Sequence, residues 1–427
     1  MQKFRVQNFG CRASQADGAA IAGQLVHAGL SAGDGAETDL VVLNSCTVTA
    51  TADHDLEKAI RRARRESPDA RILVTGCYAQ REPEKLAAIE GVTWVVGNSH
   101  KDRIADLIAA SSFHTQIHVS DIFARREFFS APIEDAEDGR SRPNLKIQDG
   151  CNNRCSFCVI PSVRGASRSA DADWVIEQVR GLAGRYREVV LTGVNLGRWG
   201  REWGGGRALV QLLRRILAET PIDRLRLSSI EPMDWTDDLI ALVAGEPRIA
   251  RHVHAPLQSG SDSVLRRMFR KYRPRHYQDR IERAFSKIPD AAFGADVMTG
   301  FPGETNAEFS ETVQFVENLP LTYLHVFTYS ERPGTRAADL PQVPWEIRKE
   351  RTRVLRSVSD RLNREFRLRL IGKTLSVVTL GERDAISSNY VRVQLSEPAV
   401  AQRIQEVTIS GLKDEGLAER ALLPVLA

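Results

Sequence analysis

The sequence predicts an α/β protein with a small all-β module at its C-terminus. In the first hundred residues, short apolar runs alternate with helical stretches, and a second alternating series follows a polar segment at residues 133–144. From about residue 371 the pattern changes to short strands only. Because 427 residues are too many for a single core, we expect two or three domains.

The N-terminal series is typical of a doubly wound, flavodoxin-like parallel sheet. Its apolar runs predict buried strands at residues 4–9, 40–43, 72–74 and 94–96. The stretches between them predict helices at residues 16–28, 53–65 and 83–89. We therefore assign residues 1–110 to this domain and residues 111–142 to a linker, with a short strand near residues 115–119.

The central series, residues 143–370, contains six predicted β/α units, whereas a closed barrel of this class has eight. The predicted strands are residues 145–148, 188–192, 224–228, 252–256, 293–298 and 323–329. Predicted helices include residues 172–182, 209–219 and a long basic helix at 345–370. A barrel of six units is open on one side, which suits a bulky substrate.

The C-terminal module comprises residues 371–427. Its predicted strands are residues 375–379, 390–395 and 406–409. Small β-barrels with strands of this length often bind nucleic acids, so we expect a barrel of that type here.

Composition favours a cytoplasmic protein. The chain is 42% hydrophobic and 27% charged, and we find neither a secretory signal nor an uncharged apolar run long enough to span a bilayer. In a reducing compartment, regularly spaced cysteines mark metal or redox sites more often than disulfides. The six cysteines form two groups of three, whereas the net charge of +4 indicates no particular partner.

The run CNNRCSFC places Cys151, Cys155 and Cys158 at Cys-x-x-x-Cys-x-x-Cys spacing after a predicted strand. Thiolates are the usual ligands of iron–sulfur clusters, and three of them can hold a 4Fe-4S cluster with one iron left open. An open iron can chelate the amino and carboxylate groups of S-adenosylmethionine. The alternative is a zinc knuckle or a chance clustering, but structural zinc sites normally have four ligands and no fourth Cys or His lies nearby.

The other three cysteines are far apart in sequence but have equivalent positions. Cys11, Cys46 and Cys77 each lie just past the carboxyl end of a predicted parallel strand. In an open α/β sheet these ends converge on one crevice, so we expect the three to hold a second 4Fe-4S cluster. The alternative is that they are three buried structural cysteines, because free cysteine is often simply a small apolar residue.

Loops after the central strands predict a pocket for S-adenosylmethionine. The candidate residues are Gly193, Asn195, Ser229, Glu231, Gln258 and Asp296. Glycine lets the backbone approach a ligand closely, and carboxylate and amide groups can hold ribose hydroxyls and the methionine amine. Any one of these residues could instead serve in loop capping or packing, so it is their shared face that favours a site.

Three basic stretches could contact phosphate, namely residues 61–65, 163–168 and 345–370. A basic helix is usually a solvated face. Together with a terminal β-module, however, the three basic stretches favour a protein that binds RNA.

At these residues the chain resembles the methylthiotransferases of the radical S-adenosylmethionine superfamily over nearly its whole length. The matching motifs are GCRASQ at 10–15, NSCTVT at 44–49, GCYAQ at 76–80 and CNNRCSFCVIPSVRG at 151–165. Of the branches of that family, the chain looks most like the one that acts on N6-threonylcarbamoyladenosine in tRNA. The resemblance implies a partial (β/α)6 radical-SAM barrel and a TRAM-like RNA-binding module.

The resemblance also implies the chemistry. The cluster at Cys151, Cys155 and Cys158 would reduce S-adenosylmethionine to a 5′-deoxyadenosyl radical, which takes the hydrogen from carbon 2 of the adenine. The second cluster would hold the sulfur that is methylated and transferred, giving 2-methylthio-N6-threonylcarbamoyladenosine at position 37 of the anticodon loop. The expected partners are tRNA and an electron donor such as a flavodoxin or ferredoxin.

Two alternatives stay open. The nearer is the same chemistry on isopentenyl-adenosine in tRNA or on an aspartate of a ribosomal protein. The more distant is a non-catalytic RNA-binding protein whose cysteines hold structural zinc.

Overall fold

A computed structural model describes residues 2–33, 38–110, 114–130, 133, 141–204 and 208–419. The chain divides into two compact units. The first unit comprises Met1–Gln178, Thr192–Ala208 and Ser330–Asp339. The second unit comprises Val179–Leu191, Leu209–Tyr329 and Leu340–Ala427. Within the described ranges, no helix is both long and apolar enough to cross a bilayer.

The first unit begins with a six-stranded parallel sheet of flavodoxin-like order, as the sequence predicts. Its strands are β1 (Lys3–Asn8), β2 (Ser31–Ala32), β3 (Leu40–Ser45), β4 (Arg71–Gly76), β5 (Val92–Gly97) and β6 (Gln116–His118). They follow the order β2-β1-β3-β4-β5-β6. Strand β6 lies in the segment that we predicted as a linker, and it extends the sheet by one strand beyond β5.

Helices cover both faces of this sheet. They are α1 (Arg12–His27), α2 (Ala50–Glu66), α3 (Cys77–Arg81), α4 (Pro83–Ala87) and α5 (Ile104–Ala109). Val41 packs in a core with Ile60 of α2, whereas its neighbour Val42 packs in a core on the other face with Leu25 of α1. Because both faces are covered, all six residues of β3 are buried, which explains its continuous apolar run.

All six strands predicted for the central series are present. They are β7 (Asn144–Asp149), β9 (Glu188–Gly193), β10 (Arg224–Leu227), β11 (His252–His254), β12 (Ala292–Thr299) and β13 (Tyr323–Thr328), with a short antiparallel strand β8 (Arg168–Ser169) beside β7. In the second unit β9 pairs in parallel with β10, and β11, β12 and β13 form a parallel sheet in that order. The prediction of repeated β/α units is confirmed.

The helices of this series alternate with the strands. They are α6 (Ile160–Arg164), α7 (Ala172–Ala183), α8 (Ala208–Glu219), α9 (Asp237–Gly245), α10 (Asp262–Arg267), α11 (Pro274–Lys287), α12 (Asn306–Glu317) and α13 (Trp345–Leu368). Two of the basic residues of α13 are buried and bind other residues of the second unit. Arg351 pairs with Glu304, and Arg367 donates a hydrogen bond to the carbonyl of Asp414.

The C-terminal module is a closed five-stranded barrel. Its strands are β14 (Thr374–Gly381), β15 (Asp384–Ser387), β16 (Arg392–Gln394), β17 (Ile404–Lys413) and β18 (Gly416–Glu419). Val377, Val393 and Val407 fill its interior, and Phe366 and Leu370 at the end of the long helix pack into the same core. The helix and the barrel therefore share one hydrophobic core.

Candidate active site

The three N-terminal cysteines lie at one edge of the first sheet, as the sequence predicts. Cys11 follows β1 and precedes α1, Cys46 follows β3, and Cys77 begins α3 directly after β4. Strands β1, β3 and β4 are parallel neighbours, so their carboxyl ends share that edge. Cys46 and Cys77 are buried, whereas Cys11 is exposed.

Two glycines allow the loops at this edge to approach each other. Gly10 has a φ of +102°, and a Cβ added there would lie 2.5 Å from Cβ and 2.7 Å from Sγ of Cys46. Gly76 has a φ of +98°, and an added Cβ would lie 2.4 Å from the carbonyl oxygen of Ser45. Both positions combine a left-handed backbone with a contact too close for a side chain, which explains the glycine in the GC pairs at 10–11 and 76–77.

Without a bound cation, the electrostatics of this edge favour the neutral thiol of Cys46. Burial, followed by the nearby thiols of Cys11 and Cys77, raises the pKa of the Cys46 thiol to about 12. Three thiolates cannot share this edge without a positive centre, and metal ions deprotonate the thiols that bind them. The three side chains therefore fit the donor set of a metal cluster.

The second group of cysteines lies in the loop between β7 and α6. Cys151, Cys155 and Cys158 are all partly buried. The backbone N–H of Cys151 donates to the carbonyl of Gly165 at 3.1 Å, which closes the loop on itself. The backbone N–H of Asn153 donates to Sγ of Cys151 at 3.4 Å. An N–H group directed at the sulfur stabilises a thiolate, so this loop also fits an iron–sulfur cluster.

The two groups of cysteines are neighbours within the first unit. Val159 and Val163, which follow Cys158, form a buried cluster with Cys77. The side-chain amide of Asn98 donates to the carbonyl of Val163 at 2.8 Å and to Sγ of Cys77 at 3.6 Å. The chain just after one cysteine loop thus packs directly on the other group.

A buried charge network, which the sequence analysis missed, lies beside Cys77. Nε of Arg164 donates to Sγ of Cys77 at 3.2 Å, and the same guanidinium reaches Asp149 at 2.8 Å and Asp17 at 3.0 Å. Lys101 lies 2.9 Å from Asp17. Lys146 pairs with both carboxylates.

With Arg168, whose guanidinium lies 3.8 Å from Asp149, the network holds four cations and two carboxylates, so positive charge is left to balance sulfur. Burial alone would raise the pKa of Asp17 and Asp149, but the neighbouring cations hold both well below the usual range. Burial lowers the pKa of the Lys101 ammonium, and Asp17 offsets only part of that effect. Burial would also lower the pKa of the Arg164 guanidinium, but Cys77 and the two carboxylates raise it well above its usual value. Arg164 therefore stays charged against the sulfur of Cys77.

Of the residues predicted to bind S-adenosylmethionine, Gly193 and Asn195 lie together in the first unit. The backbone N–H of Asn195 donates to Oε1 of Gln148 at 2.7 Å, and Nε2 of Gln148 donates to the carbonyl of Gly150 at 2.8 Å. An added Cβ at Gly193 would lie 3.0 Å from Gln148. Oδ1 of Asn195 is buried without a hydrogen-bond partner among the described residues, so it is a candidate ligand contact.

Gln148 was not predicted as a site residue. The signal that could have identified it is its position at the end of a predicted strand, three residues before Cys151. Its side chain ties the end of β9 to the residues that precede Cys151.

The other four predicted residues lie in the second unit. Oε2 of Glu231 pairs with Arg270 at 2.5 Å, and Asp296 contacts two histidines. Gln258 has a φ of +67°, and its backbone N–H donates to the carbonyl of Asp296 at 2.7 Å. Ser229 lies in the loop after β10, half-buried. Glu231 and Asp296 are thus already engaged by cationic or ionisable partners.

Two family models match the chain. The uncharacterized protein family UPF0004 matches residues 3–97, and the radical SAM superfamily matches residues 145–316. The first match covers the N-terminal cysteines, and the second covers the CNNRCSFC loop. Membership of the radical SAM superfamily implies a 4Fe-4S cluster and S-adenosylmethionine.

Solved structures agree on the fold. The chain superposes on a radical S-adenosylmethionine methyltransferase, TsrM, from Kitasatospora setae, with a TM-score of 0.59 and 15% identity over 79% of this chain and 75% of that one. It superposes on the cobalamin-dependent S-adenosylmethionine radical enzyme OxsB with a TM-score of 0.52 and 11% identity over 86% of this chain and 56% of that one. At these identities the likeness concerns the fold alone.

Curated relatives cover nearly the whole chain. The threonylcarbamoyladenosine tRNA methylthiotransferase MtaB of Aquifex aeolicus is 35% identical over 92% of this chain and 96% of its own length, and that of Bacillus subtilis is 38% identical over 88% and 85%. The tRNA-2-methylthio-N(6)-dimethylallyladenosine synthase of Acidothermus cellulolyticus is 34% identical over 90% and 79%. The chain belongs to the radical S-adenosylmethionine methylthiotransferases.

Proposed function

We propose that the chain converts N6-threonylcarbamoyladenosine at position 37 of tRNA to its 2-methylthio derivative, with two 4Fe-4S clusters. The observation that carries the proposal is the presence of both three-cysteine groups in one unit, where the segment that follows Cys158 packs on Cys77. Relatives named for this reaction support the substrate, because they match this chain over 85 to 96% of their own length.

Cys151, Cys155 and Cys158 would hold the cluster that binds S-adenosylmethionine. When bound, this cluster supplies the electron that cleaves the cofactor. The protein's own contribution is positioning: Gln148 holds the cysteine loop against the backbone of Asn195. The buried Oδ1 of Asn195 is available to accept a hydrogen bond from a donor on the cofactor. The six residues from Gly193 to Asp296 named above remain our proposal for cofactor binding.

Cys11, Cys46 and Cys77 would hold the second cluster, which supplies the sulfur. Support comes from the common edge at which the three cysteines lie and from the guanidinium of Arg164 beside Sγ of Cys77. Arg164 neutralises negative charge on sulfur from the buried side. The exposed Cys11 marks the side on which a substrate can approach.

The remaining assignments follow from the reaction. We propose residues 1–110 as the sulfur-donor domain, 143–370 as the radical core and 371–427 as the RNA-binding module, joined by the segment 111–142. A base in an anticodon loop can be splayed into a pocket without opening a duplex. We place the enzyme in the cytoplasm, where tRNA and a flavodoxin or ferredoxin electron donor are available.

Dimethylallyladenosine in tRNA is the second candidate substrate. Relatives with that activity in their name match this chain at 32 to 34% identity, but over 72 to 79% of their own length. The shorter match makes this branch the weaker choice.

Nucleoside mass spectrometry of total tRNA tests the proposal. Cells that lack the gene should lose the methylthio mark on threonylcarbamoyladenosine and accumulate the unmodified nucleoside. The intact gene should restore the mark, whereas the Cys151→Ala variant should not. If the mark persists without the gene, or if methylthio-dimethylallyladenosine is lost instead, the assigned substrate is wrong.

A further inference from the structure

Three possible metal ligands meet on neighbouring strands of the second unit, outside the cysteine groups. Asp296 of β12 lies in register with His325 of β13, and His254 lies on the adjacent strand β11. Oδ1 of Asp296 lies 3.1 Å from Nε2 of His254 and 3.2 Å from Nδ1 of His325. Within the described residues, this is the one group of at least three His, Cys, Asp or Glu side chains that meets the spacing for a metal ion.

The distances between the carboxylate oxygen and the two histidine nitrogens fit coordination of a metal ion. Ligand atoms that surround zinc tetrahedrally at about 2.0 Å lie about 3.3 Å apart, close to the two separations observed here. The rings of His254 and His325 are 5.1 Å apart between centroids and tilted by 50°, so neither blocks the space between the ligand atoms. Two imidazoles and one carboxylate are also a frequent protein set for catalytic zinc and for non-haem iron.

The hydrogen bonds behind His254 leave its Nε2 facing Asp296. Oη of Tyr323 lies 2.6 Å from Nε2 of His252 and 3.2 Å from Nδ1 of His254. A phenol donates one hydrogen bond and can accept another, so the two contacts hold the ring of His254 in place whichever histidine the hydroxyl donates to. With its Nδ1 next to Tyr323, His254 directs Nε2 towards Asp296.

Nε2 of His254 is buried and lies 3.1 Å from a carboxylate oxygen of Asp296 without a well-aligned hydrogen bond to it. This close approach is favourable when a cation, either a proton on the ring or a metal ion, lies between the two atoms. An outer hydrogen bond to the other ring nitrogen is the usual support of a metal-binding histidine.

We propose that His254, Asp296 and His325 bind a divalent transition-metal ion, with zinc as the representative case. His325 and Tyr323 line a cavity of about 900 Å³ between β13, the C-terminal half of α13 and the C-terminal barrel, all in the second unit. A fourth coordination position is therefore accessible to water or to an oxygen atom of a ligand in that cavity. Asp296 is also one of the six residues proposed above for cofactor binding, so His325→Ala, which changes none of those six, separates metal binding from cofactor binding.

The competing explanation is an ion pair between Asp296 and a protonated histidine. Burial would raise the pKa of Asp296, but its interactions with His254 and His325 lower it. One carboxylate compensates only one imidazolium. The two explanations differ in whether the folded chain takes up a metal ion beyond those of its clusters.

Zinc content of the full-length, cluster-loaded protein tests the proposal. The protein is dialysed against a zinc-buffered solution without oxygen, and zinc, iron and sulfide are measured per chain. The wild type and His27→Ala should bind one more zinc ion than Asp296→Asn and His325→Ala, with equal iron and sulfide in all four. His27 is the matched control, because it lies on α1 outside the triad.

Equal zinc in all four proteins, or no zinc in the wild type, would overturn the site. Zinc X-ray absorption on the wild type gives a second measurement that needs no variant. The spectrum should show only nitrogen and oxygen ligands. Sulfur ligands would place the zinc at the cysteines and contradict the proposal. If the wild type binds the extra zinc ion but does not carry out methylthio transfer, the result counts against the proposed function and not against this site.

Discussion

Arg164 joins three chemically different partners at one buried point. Its guanidinium donates to the sulfur of Cys77 and to the carboxylates of Asp17 and Asp149, with almost no exposure to solvent. The cysteines themselves were predictable, because their spacing and their positions after strands are local signals. The network was not, because Asp17 and Arg164 are 147 residues apart and nothing in either local pattern refers to the other.

Replacing Arg164 by methionine should destabilise the protein strongly. The change removes the ion pairs of Arg164 with both buried carboxylates, and breaking a buried ion pair on one side costs about 3 to 5 kcal/mol. Urea unfolding of the wild type and Arg164→Met measures the loss. Arg62→Met is the matched control, since Arg62 pairs with Glu66 on the surface and should change little. Similar stability for both variants would mean that the network is not the stabilising element described.

Gly10→Ala should remove the N-terminal cluster and leave the core cluster in place. The new Cβ would collide with Cβ and Sγ of Cys46, so bound iron should fall by about half of the two-cluster content. Gly29→Ala is the control, because Gly29 also has a positive φ but no atom within 4 Å of an added Cβ. If Gly10→Ala keeps full iron, Cys46 is not a ligand at this edge.

At the scale of elements, apolar runs predicted most of the strands but missed several short ones, among them β2 and β8 with two residues each. Six central strands and the flavodoxin-like order followed from apolar runs. Strands β15 and β18, with four residues each, were missed because so short a run carries no clear alternation. The closure of the C-terminal barrel depends on both, so it could not be predicted from the pattern.

The start of α12 carries a pH-dependent contribution to stability. Glu308 accepts from the backbone N–H of Thr305 in a capping box and pairs with Arg267. Its hydrogen bond with Arg267 is the largest cause that lowers the pKa of Glu308 to about 2. Since the folded pKa is depressed, the contribution is present above the unfolded pKa of about 4.3 and is lost as the pH falls towards 2.

Glu308→Gln isolates the charge, because glutamine still serves in a capping box. The wild type should be more stable than Glu308→Gln at pH 6, and the difference should shrink through the window from about 4.3 downward. Thermal unfolding midpoints of both proteins at a series of pH values measure this. A difference in unfolding midpoint that does not vary with pH would contradict the assignment of this stability contribution to the ion pair between Glu308 and Arg267.

At the scale of the whole molecule, the two compact units carry different chemistry. All six cysteines and the buried charge network belong to the first unit, and the His254, Asp296 and His325 triad and the small barrel belong to the second. Family membership followed from four short motifs in the first 165 residues, and the comparisons confirm it over nearly the full length of the chain. The substrate rests on the relatives, because no single residue pattern in the chain specifies a nucleoside.

The central claim is that the two groups of cysteines hold two separate clusters. Iron and acid-labile sulfide per chain, measured on the wild type and on a variant with Cys151, Cys155 and Cys158 all changed to alanine, test it most directly. We expect about eight irons and eight sulfides in the wild type and about half of each in the variant. Zinc without sulfide in the wild type, or complete loss of iron in the variant, would contradict it.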